Sequence, residues 1–97
     1  MTIAEKMQAL IDTMPCLKAK GLRWQLGETN RGCLDFIDQC KGMSHGERIA
    51  ASFILHVWHW DEPVMEKWAF NFGEAMNYLD PGEILAIRNW MARPWYA

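Results

Sequence analysis

The chain has 97 residues, 51% of them hydrophobic, and a net charge of −2 at pH 7. That length builds one domain, able to bury roughly two thirds of its unfolded surface but too small for two independent cores. So small a net charge provides neither the basic face of an unspecific nucleic-acid binder nor the dense acidic face of a DNA mimic, and three cysteines without a C-x-x-C pair imply a reducing, intracellular setting rather than a disulfide framework.

Thr2 and Glu5 stand in capping-box spacing, and Ile3, Met7, Leu10, Ile11 and Met14 fall on one helical stripe. Together they predict a first helix over about 3–14, which Pro15 forbids from continuing. In the next segment Leu22, Trp24 and Leu26 alternate with Arg23 and Gln25, and 27–32 offers a turn. This pattern allows a small hairpin over 22–33 packed on the helices, or an irregular segment pinned by Trp24.

The chain then repeats itself. Residues 34–47 match 70–83 without a gap, 36 positions apart. Phe36 and Phe72, Gly46 and Gly82, and Glu47 and Glu83 are identical, and Asp35/Asn71, Asp38/Glu74, Cys40/Met76, Met43/Leu79 and Ser44/Asp80 keep their physical class. Each copy contains two helix-start signals: Asp35 and Asn71 with an acid three residues on, then Ser44 and Asp80 with Glu47 and Glu83 in the same spacing. Pro81 adds a proline at the first helical position, where its missing N–H costs nothing. The match predicts paired helix-turn-helix units over 34–54 and 70–90. In these units Phe36 and Phe72, and Met43 and Leu79, are equivalent buried positions. Glycine inside a helix's first turn is costly in backbone entropy, so Gly46 and Gly82 imply another element packed closely over those turns.

The second helix of the first unit carries Ile49, Phe53, Val57 and Trp60 on one stripe, with Ala50, Ile54 and Trp58 beside it, which makes it the central helix. Its apolar run over 49–58 is about half the ~20 residues of a membrane span. Asp61, Glu62 and Pro63 interrupt it, and 64–68 has the composition of a further short turn. The last helix, over 81–92, places Ile84, Ile87 and Met91 inward with Leu85 adjacent. Pro94 ends it and leaves Trp95 and Tyr96 as an aromatic tail. The predicted fold is a compact all-α domain spanning 1–97: an N-terminal helix and two pseudo-repeated helix-turn-helix units.

Chemistry is scarce. His56 and His59 share a helical face, as metal ligands require, but no partner pair has a recognised zinc spacing; His56 reads as an interior histidine and no metal or cofactor is expected. Cys33 and Cys40 read as small core fillers. No nucleophile, base and orienting acid fall into a set, and no glycine loop cradles phosphate, so the chain is expected not to be an enzyme. Tryptophan is abundant, with six in the chain. A core of this size buries about three or four of them, and tryptophan left at a surface is enriched in binding hot spots. Trp60, Trp68 and Trp95 flank breaks in structure, and with Tyr96 they are the expected partner-binding residues, for a host protein or for a second copy of the chain. The alternative is a helix-turn-helix nucleic-acid binder that uses the basic segment Lys18, Lys20, Arg23 and Arg31 with Trp24. Against it, the second unit offers Asp80 and Glu83, which phosphates repel.

The Ser44-His45-Gly46-Glu47-Arg48 helix start, the Asn71-Phe72 and Asp80 signals and the Arg93-Pro94-Trp95 ending are similar to those of small uncharacterised proteins of bacteriophages and prophages. The likeness covers roughly residues 34–97 and brings no catalytic residue with it. It implies a phage accessory protein acting in the cytoplasm of a bacterial host, a class that includes inhibitors of defence complexes such as CRISPR effectors.

Overall fold

The computed structural model describes residues 2–24, 30–58 and 68–96, with residues 30–32 as backbone only. Six helices follow one another among the described residues, without a strand. The first, α1 (Ile3–Asp12), begins with the expected capping box: the Glu5 N–H donates to Thr2 Oγ1 at 3.1 Å and the Thr2 N–H to Glu5 Oε1 at 3.2 Å. It stops at Asp12, where the Thr13 hydroxyl donates to the Leu10 carbonyl at 2.6 Å. Met14 is extended, as a residue before proline must be. Pro15 therefore both ends one helix and begins another, α2 (Pro15–Ala19), which sequence periodicity did not reveal.

The hairpin expected over 22–33 is not formed: the described residues 30–33 are helical, while 25–29 lie outside the description. Leu22 and Trp24 are buried and Arg23 exposed, as their alternation predicts. Two glutamines take the place of neighbouring strands. Gln8 of α1 donates to the Leu22 carbonyl at 3.1 Å and accepts from the Trp24 N–H at 2.6 Å. On the other edge, Gln39 accepts from the Arg23 N–H at 2.9 Å and donates to the Arg23 carbonyl at 2.7 Å. Buried backbone groups need partners of some kind, and an amide side chain offers the same donor and acceptor as a peptide bond.

The two copies of the repeat diverge. Helix α3 (Asn30–Gln39) starts well before Asp35, so Asp35 is no N-cap; it accepts from Gln39 Nε2 at 2.8 Å inside the helix. Its counterpart Asn71 does cap, accepting from the Glu74 N–H at 3.0 Å at the start of α5 (Phe72–Tyr78). Phe36 is wholly buried, with Trp24 against its ring at 5.4 Å, whereas Phe72 is 43% exposed at the first position of α5. Met43 is half-buried and Leu79 buried. The later starts do correspond. Helix α4 (His45–Trp58) and α6 (Pro81–Ala92) begin 36 positions apart, after Ser44 and Asp80, though the expected cap forms only at Ser44 and the Asp80 side chain makes no cap bond. Gly42, at φ +77°, supplies the left-handed turn before Ser44.

Helix α4 is the central element, buried from Ile49 to Leu55 and at Val57, and it packs against α1, α2 and α5. Helix α6 is rotated by about one residue from its predicted inward stripe. Glu83, Ala86, Ile87 and Trp90 are buried, Ile84 is half-buried, and Leu85 and Met91 are exposed. Two long-range contacts set that rotation: Glu83 reaches α2, and the Trp90 ring meets Phe53 edge-on at 5.4 Å between centroids. The expected close packing is present over the Gly82 turn, where a Cβ would lie 2.9 Å from Pro15 Cγ, but not over Gly46, where one would make ordinary contact at 3.4 Å from the Tyr78 carbonyl oxygen.

Candidate protein-binding surface

The chain after α6 folds back over the helix it leaves. Trp90 Nε1 donates to the Trp95 carbonyl at 2.9 Å, so a buried indole N–H anchors the tail. The two tail aromatics then serve different neighbours. Trp95 is half-buried beneath the Lys6 ammonium, 4.4 Å from the ring centroid. Tyr96 is 54% exposed, with its ring 5.4 Å from Trp90 and 5.7 Å from His56.

From Tyr96 an aromatic row crosses the surface. His56 on α4 lies 5.9 Å from Phe70, and Phe70 lies 4.8 Å from Phe72 at the start of α5. Phe53 supports the row from the core, at 5.3 Å from Phe70. Met76, one turn beyond Phe72 on α5 and 49% exposed, extends the same apolar side of that helix. Exposed aromatics whose undersides are fixed by packing have little side-chain entropy to lose on binding, the property that makes tyrosine and phenylalanine effective anchors.

The four expected partner residues fare differently. Tyr96 is exposed and Trp95 partly so, whereas Trp60 lies outside the described residues. Trp68, expected at the surface, is instead buried at 6% exposure: its ring lies under the Arg48 guanidinium, 4.0 Å from the centroid, beside Ile49 and Ser52 of α4. A break in the chain does not expose a residue when a neighbouring helix supplies a cover. Phe70, Phe72 and Met76 were missed. Their signal in the sequence is the apolar pair Phe72 and Met76 at a spacing of four, beside the aromatic Phe70.

Of the residues of the alternative, nucleic-acid reading, Trp24 is 3% exposed and packs on Phe36 and Trp58 at 5.4 and 5.0 Å. Lys20 pairs with Glu47 at 3.3 Å, Lys18 and Arg23 are exposed, and the Arg31 side chain lies outside the description.

Thiol chemistry is suppressed. Burial, followed by the neighbouring Glu83 carboxylate, pushes Cys16 up to about 12, and burial pushes Cys40 to about 12, so neither supplies thiolate near neutrality. Cys33 and Cys40 are buried among apolar side chains, as core fillers are. His56 is half-buried between Phe70, Trp90 and Tyr96, and His59 lies outside the described residues. No group of three or more His, Cys, Asp or Glu among the described residues is disposed to hold a metal ion, and no described helix is long and apolar enough to cross a membrane. No protein-family model, curated protein or solved structure matches the chain.

Proposed function

We propose that the protein is a small non-enzymatic binding module that acts by occupying a protein surface, through the aromatic row Tyr96, His56, Phe70 and Phe72. The observation that carries this reading is the continuity of the row: two exposed rings at its ends are joined through His56 and Phe70 and backed by Phe53 and Trp90. The likeness of its helix starts and C-terminal ending to small phage proteins supports a phage-encoded inhibitor of a bacterial defence complex, such as a CRISPR effector, working in the host cytoplasm.

The test is affinity capture from a bacterial lysate with mass spectrometry, followed by measured affinity for the captured protein, with Tyr96→Ala and Phe72→Ala beside the parent. Both residues are exposed, so the variants fold. A hot-spot loss of ~2 kcal/mol weakens binding about thirtyfold. Affinities equal to the parent's for both variants would place the interface elsewhere and overturn this assignment.

A further inference from the structure

On the other side of the tail, α1 and α6 leave an open groove of about 310 Å³. Its lining is mostly apolar, with Leu10, Ala86, Trp90 and the folded-back Trp95, beside the neutral polar Thr13 and Asn89. Two side chains in its lining carry charge, Lys6 and Arg93, and both are cationic; no described carboxylate lines the groove, and neither cation is paired with a described acid. The Lys6 ammonium is held in place by the Trp95 face, a contact that orients a cation without neutralising it. An apolar trough with cations and no described anion is complementary to a small ligand whose apolar body ends in an anionic head, of which a carboxylate is the simplest.

Size narrows the class. An open groove of about 310 Å³ is at the small-molecule end of the range of ligand sites. We propose that this groove is a binding site for a free apolar monocarboxylate, with its carboxylate toward Lys6 and Arg93 and its chain on Leu10, Ala86 and Trp90. The site adjoins the aromatic row through Trp90, uses none of the row's own four rings and needs no protein partner.

The probe is sodium octanoate, titrated into isotope-labelled protein and followed by amide NMR, with octylammonium and octanol at matched concentrations. Octanoate is expected to shift the amides of Ala9, Leu10 and Ala86 saturably, on the order of millimolar for so small a ligand, and octylammonium to leave them unmoved. Lys6→Met and Arg93→Met keep an apolar stem and remove the charge; each is expected to weaken octanoate about tenfold while the amide spectrum elsewhere stays native. Equal shifts with octylammonium or octanol, shifts gathered at Phe72 and Tyr96 instead, no saturable shift, or unchanged affinity in both methionine variants would each overturn the assignment.

Discussion

The Cys16 N–H donates to Glu83 Oε1 at 2.8 Å, across 67 positions of sequence, and so ties the start of α2 to the start of α6. Helix α2 has no side-chain cap of its own, because the residue before Pro15 is Met14. A carboxylate from another helix takes over that role. Glu47, the counterpart of Glu83 in the repeat, instead closes a local box in which the Ser44 N–H donates to its Oε1 at 2.9 Å and its own N–H donates to Ser44 Oγ at 3.3 Å. Glu83→Ala is expected to cost about 1 kcal/mol or somewhat more, since it leaves a half-buried N–H without its acceptor. Glu83→Gln keeps an acceptor oxygen and should cost less. Urea unfolding of the two variants beside the parent measures both, and a Glu83→Ala curve that overlays the parent would remove this bond from the stability argument.

The same carboxylate guards a thiol. With Cys16 and Cys40 raised to about 12, iodoacetamide near neutral pH should alkylate both far more slowly in the folded protein than in urea. Glu83→Gln removes one of the two main causes at Cys16 but leaves burial. Alkylation at that residue alone should therefore quicken, as peptide mass spectrometry over time would show.

Gly46 and Gly82 occupy the same place in the repeat and should respond oppositely to alanine. At Gly46 the new Cβ makes ordinary contact, at 3.4 Å from a carbonyl oxygen, so the usual helix gain of ~0.5–1 kcal/mol is expected. At Gly82 the new Cβ meets the rigid Pro15 ring at 2.9 Å, and overpacking of this kind costs ~1–3 kcal/mol. Thermal melting separates the two, and a stabilised Gly82→Ala would show that α2 yields easily.

Phe36→Ala opens a hole in the closed core and should cost ~3–5 kcal/mol. Phe72→Ala, at a ring 43% exposed, should cost about 1 kcal/mol or less. Equal losses in denaturation experiments would contradict the divergence of the two copies.

Acid should open both capping boxes. The backbone N–H groups of Thr2 and Ser44 hold Glu5 and Glu47 below 4.5, the ordinary glutamate value. A carboxyl depressed in the folded state contributes stability that is complete above about pH 4.5 and is lost as pH falls through the depressed folded values. Glutamine keeps the box without titrating. The double variant Glu5→Gln, Glu47→Gln should therefore show a shallower fall in Tm between about pH 5 and pH 3 than the parent.

Sequence alone determined the helix starts at Thr2, Ser44, Asn71 and Pro81, the stop at Pro15 and the all-helical class. Each of those signals is an exchange between residues three or four apart, or a property of the proline ring, and forms whatever the rest of the chain does. The tertiary structure decided which identical residues would keep identical roles. Glu47 caps its own helix start, and pairs with Lys20 besides, while Glu83 caps the start of α2; Phe36 is buried while Phe72 is exposed; Trp68 lies under Arg48, and Gln8 and Gln39 stand in for strands. Burial depends on what arrives from across the fold, and the partners that settled these positions lie up to 67 residues away, beyond the reach of any local pattern. The aromatic row and the cationic groove share that origin, since each exists only where the C-terminal tail returns to meet helices laid down far earlier in the chain.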